Sequence, residues 1–91
     1  MKYKIGDWIV YIDKERSKWW KDLKGISLYG KIGKIIYIGK SDRFIPYLIE
    51  FKEYINGHDG IGKGKNGHCS WCSKQEITSL DRLKLKKLLE G

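Results

Sequence analysis

Ninety-one residues make one domain, and a chain this short buries only roughly two thirds of the surface its unfolded form exposes. With 41% hydrophobic and 13% aromatic residues it carries too much apolar material for a disordered tail, so it folds around a single core. Nineteen Lys and Arg against eleven Asp and Glu leave a formal charge of +8, whose field attracts polyanions such as nucleic acid or an acidic protein. No run approaches the roughly 20 apolar residues that span a bilayer. The opening MKYKIGDWIV starts a strand pattern and lacks the apolar h-region of a signal peptide, so a cytoplasmic monomer without membrane contact is expected.

From Ile5 to Ile12, Trp8, Val10 and Ile12 alternate with Ile9 and Tyr11, which predicts a first strand introduced by Gly6-Asp7. Residues 13 to 25, DKERSKWWKDLKG, hold no β-branched side chain and predict a long loop or a short helix ended by Gly25. Further strands are expected at about Lys31–Ile38, Tyr47–Phe51, His68–Cys72 and Ile77–Leu80. Between the third and fourth lies NGHDGIGKGKNG, whose five glycines dictate a loop. From Asp81 on, Leu85, Leu88 and Leu89 recur at helical spacing and predict a C-terminal helix. Five short strands with one terminal helix describe a mainly β chain, a small open barrel of the SH3-like kind. Trp8, Trp71, Ile35, Tyr37, Leu48 and Phe51 are its expected core or core rim.

The segment Tyr29-Gly30-Lys31-Ile32-Gly33-Lys34-Ile35-Ile36 resembles the GxxGxV opening of KOW-type and other SH3-like barrels. Its two glycines suit a tight turn and a close backbone approach. The order of the later elements resembles a group of small barrels encoded by bacteriophages and mobile elements, in which the long loop carries GHD and the next strand begins GHCWW. His58-Asp59 and Gly67-His68-Cys69 match, Trp71 is kept, and Ser70 stands where an aromatic is usual. The resemblance runs from about residue 5 to about residue 80 and implies a barrel fold and a place in a bacterial host's cytosol.

Three sets of residues carry candidate chemistry. His58, His68, Cys69 and Cys72 are the only His and Cys in the chain and fall within fifteen positions, a complete set for a structural zinc. A regular strand would point Cys69 and Cys72 to opposite faces, so a bulge at Ser70 would be needed; buried reduced thiols with loop histidines are the other reading. Trp19 and Trp20 between Lys18 and Lys21 interleave rings with cations, as binders of single strands do, while one of the two rings could instead close the barrel end. Lys63 and Lys65 on the glycine loop, and Arg82 and Lys86 on the terminal helix, complete the expected binding surface. Asp59 beside His58 offers a base and Cys69 a nucleophile, but nothing supplies an oxyanion hole, and a non-enzymatic module is expected.

Two functions follow from these features. One is a barrel that engages nucleic acid, or a complex that handles it, through basic and aromatic loops. The other is a protein-directed inhibitor of a host defence nuclease, of the anti-CRISPR kind, binding the enzyme and not free nucleic acid.

Overall fold

The computed structural model describes residues 3–40 and 44–82. Five strands, β1 (Trp8–Tyr11), β2 (Ile32–Ile38), β3 (Tyr47–Phe51), β4 (Cys69–Cys72) and β5 (Ile77–Ser79), form one antiparallel sheet in the order β4-β3-β2-β1-β5. In a flat sheet the two outermost strands would stand about 19 Å apart. Here β4 and β5 are joined only by Ser73 and a single 3₁₀ turn, Lys74–Glu76, and Cys72 and Ile77 share one apolar cluster. The sheet is therefore curled into a barrel-like fold, mainly β, as the strand pattern predicts.

Every strand contributes to that cluster: Ile9 and Tyr11 from β1, Ile35 from β2, Ile49 and Phe51 from β3, Cys72 from β4 and Ile77 from β5, with Leu28 and Ile55 from the connections. Gly30 and Gly33 do what their chemistry suggests. Gly30 sits at φ +80°, and a Cβ on Gly33 would stand 2.6 Å from Ile49 Cγ2, so only a bare backbone lets β2 lie this close to the core side chains.

Residues 14–24 resolve the loop-or-helix alternative as a helix, α1 (Lys14–Lys24). The Asp13 carboxylate accepts from the Arg16 amide at 3.0 Å, and Gly25 closes the other end in the left-handed region, its N–H bonded to the Lys21 carbonyl at 2.8 Å. A helical turn starts again at Leu80–Arg82; the rest of the expected C-terminal helix, Lys86 included, lies outside the described residues. No helix among the described residues is long and apolar enough to cross a membrane.

Two core assignments are corrected. On β1 the inward face is Ile9 and Tyr11, leaving Trp8 42% exposed, and Tyr37 on β2 is 36% exposed. Both faces of β1 are apolar, so alternation alone does not say which is inside. On β2 the register slips between Ile35 and Tyr37, and this bulge turns Tyr37 outward, opposite Leu48, with Ile38 packed on the core behind it. Ile35, Leu48 and Phe51 are buried as expected, and Trp71 is half-buried.

Candidate nucleic-acid interface

Helix α1 is fixed to the barrel by residues one turn apart. Ser17 is buried, and its Oγ accepts from the Leu28 and Tyr29 amides at 2.9 and 2.8 Å. Trp20 packs against the core cluster and donates from Nε1 to the Ile55 carbonyl at 2.8 Å. Trp19 and Leu23, four apart and so on one helical face, are 50% and 62% exposed. The tryptophan pair thus divides: Trp20 is the ring that closes the barrel end and Trp19 is the free one. Lys18 and Lys21 are exposed beside them. Arg16 lies 5.1 Å from the Trp19 ring centroid, Lys24 5.6 Å from that of Trp20, and Lys14 5.3 Å from that of exposed Tyr29.

A second aromatic and basic surface lies on the outer face of the sheet. Trp8 stands opposite Lys34, and Lys34 opposite Glu50, across β1, β2 and β3. The ammonium groups of Lys34 and Lys52 sit 5.5 and 5.0 Å from the Trp8 ring centroid. Further along, Tyr37 meets Trp71 edge to face at 6.2 Å, and Lys63 reaches back from the glycine loop to 4.8 Å from the Tyr37 centroid. Sequence reasoning missed Trp8, Tyr37, Lys34 and Lys52 as surface residues. For Lys34 and Lys52 the signal was present, because with Glu50 they keep the outward phase while Ile35, Ile49 and Phe51 keep the inward one; for Trp8 and Tyr37 it was not.

The glycine loop is folded onto this face and is not a free hairpin tip. The Lys65 amide donates to Glu50 Oε2 at 2.9 Å, and a Cβ on Gly64 would stand 2.5 Å from Cys69 Sγ, so only glycine packs there. His58 pairs with Cys69 as an isolated β-bridge. Lys63 and Lys65 remain exposed on the loop's outer side, and Arg82 is exposed at the start of the terminal helical turn.

The four expected zinc ligands are not brought together. Cys72 points into the core cluster, whereas Cys69, paired opposite Glu50, points outward beneath the loop, because no bulge at Ser70 interrupts the alternation of β4. His58 Nδ1 accepts from the Gly60 amide at 2.9 Å, and buried His68 donates from Nδ1 to the Phe51 carbonyl at 2.9 Å. Among the described residues no group of three or more His, Cys, Asp or Glu could hold a metal ion.

Both thiols are free. Burial first, then the Glu50 and Asp59 carboxylates, push Cys69 from the ordinary 9.0 up to about 11. Burial and then Glu76 push Cys72 well above the same value, against the smaller opposing effect of Arg16. Above pH 9 the unfolded chain ionises these thiols while the folded chain holds them neutral, so stability falls as pH rises from 9 through about 11. The urea midpoint is expected to be lower at about pH 10.5 than at about pH 8, and a Cys69→Ala, Cys72→Ala pair should flatten that difference.

The chain matches no protein-family model, no curated protein and no solved structure.

Proposed function

We propose that the protein is a non-enzymatic module that binds nucleic acid. The observation that supports this best is the repeated placement of a cation over an aromatic ring. Among the described residues six Lys or Arg side chains do so, and Trp8, Trp19, Tyr29 and Tyr37 among the rings are exposed, on a chain of charge +8. An amine beside an exposed ring can swing to a phosphate while the ring takes a base, which matches the alternating chemistry of a nucleic-acid strand. Affinity for nucleic acid is expected to fall linearly on a log–log plot of binding constant against salt, with a slope that counts the phosphates contacted. Fluorescence anisotropy with labelled oligonucleotides measures it. Binding that is absent even at low salt ends the reading.

A second reading rests on the Trp19–Leu23 ridge of α1. A convex aromatic and aliphatic pair fits a protein groove better than a stack of bases, as a protein-directed inhibitor of a host nuclease would require. Its mark is a stable one-to-one complex with such an enzyme, lost in Trp19→Ala, together with no affinity for free nucleic acid.

A further inference from the structure

We infer that the outer face of the sheet is a platform for an unpaired strand, with Trp8 and Tyr37 stacking bases and Lys34, Lys52 and Lys63 holding the phosphates; this rests on the nucleic-acid reading above. In a duplex the base faces are stacked on one another and only their edges reach the grooves, so exposed rings on a sheet find no partner there. An unpaired strand offers faces and phosphates alternately.

The geometry of the face fits that alternation. Trp8 sits on β1 opposite Lys34, and Tyr37 lies three residues further along β2. Lys34 pairs with Glu50 and Tyr37 with Leu48, so the bulge shortens the advance to two residues of β3. One strand spacing across with that advance places the two backbone positions about 8 Å apart, within reach of nearby bases on one strand. Each ring has its own ammonium groups, two at Trp8 and one at Tyr37, at 4.8 to 5.5 Å from the centroids. The bulge between Ile35 and Tyr37 makes the second ring available, because an unbroken alternation from Ile35 would place residue 37 on the core side. Glu50 is the acidic side chain in the middle of this face, and the Lys65 amide already engages its carboxylate at 2.9 Å. Helix α1 is the rival site, but its Trp19 stands on a curved ridge beside aliphatic Leu23, which cannot continue a stack.

The test titrates the whole chain with a labelled oligothymidine and an oligouridine of about 12 nucleotides, and with a duplex of the same length. The unpaired strands are expected to bind at least about 10-fold tighter than the duplex. Trp8→Ala and Tyr37→Ala should each weaken them roughly 10-fold at unchanged melting temperature, Trp8→Phe should retain most of the affinity, and Lys52→Glu should reduce the salt slope by about 1 to 2. Because both rings are exposed, a retained melting temperature separates lost stacking from unfolding. A duplex bound as tightly as the strands, or Trp8→Ala and Tyr37→Ala without effect while Trp19→Ala weakens binding, overturns the platform and leaves the nucleic-acid reading standing. No affinity for any of the three probes at low salt overturns both.

Discussion

Replacing Trp20 with alanine is expected to lower the stability of the fold by about 3 kcal/mol, a shift of about 15 °C in melting temperature for a domain of this size. Trp19→Ala is expected to cost no more than about 0.5 kcal/mol. The two rings are adjacent in sequence and nearly equal in chemistry, so the difference is set by their surroundings. Trp20, partly buried, packs on the apolar cluster and anchors α1 together with buried Ser17, and its indole N–H satisfies the Ile55 carbonyl at 2.8 Å. Truncation removes the packing and leaves that carbonyl without its indole donor. Trp20→Phe restores most of the ring but not the donor, and should recover all but about 1 kcal/mol. Thermal and urea denaturation of the three variants checks the order. A loss of binding in Trp20→Ala then reports a loosened helix, and only Trp19→Ala reports on the ridge.

This division explains how much of the molecule can be read from its residues. Local rules suffice where one element decides: Asp13 and Gly25 bracket α1, and β3 runs over Tyr47–Phe51 as expected. They fail where the partner decides. Strand β1 has apolar side chains on both faces, and only its pairing with Gly33 and Lys34 of β2 shows that Trp8 is outside. The bulge that exposes Tyr37 lies within an unbroken apolar run, Ile35 to Ile38, with nothing local to mark it. The histidines and cysteines are close in sequence, yet a sheet separates neighbours by face, and Cys69 and Cys72 end on opposite sides of β4. Closure of the barrel is also a non-local result, and it depends on one buried acid.

That acid is Glu76, at the end of the 3₁₀ turn between β4 and β5, and Glu76→Ala is expected to destabilise the protein by about 4 kcal/mol. Its side chain is 6% exposed and serves two donors on different elements. The Ser73 amide bonds to Oε1 at 3.0 Å, completing a capping box, and the Tyr11 hydroxyl bonds to Oε2 at 2.5 Å from inside the core. The Glu76 carbonyl also accepts from the Ile12 amide at 2.8 Å, so this residue ties the end of β1 to the turn that delivers β5. Truncation strands a buried phenol and an amide at once, and each unsatisfied donor costs about 1–3 kcal/mol. Glu76→Gln keeps an acceptor for Ser73 and offers the phenol an N–H, so its loss should be smaller, about 1–2 kcal/mol. Tyr11→Phe removes one donor and leaves the carboxylate buried with a single partner, which places it between the other two. Hydrogen exchange should show where the damage falls. The amides of β5 and of Ile12, which donates to the Glu76 carbonyl, are expected to lose protection in Glu76→Ala before those of β2 and β3, and before that of Tyr11, which donates to Lys31, because the barrel opens at the β1–β5 seam while the central strands stay paired. Uniform loss of protection across all five strands would show that Glu76 stabilises the core as a whole and does not close the seam.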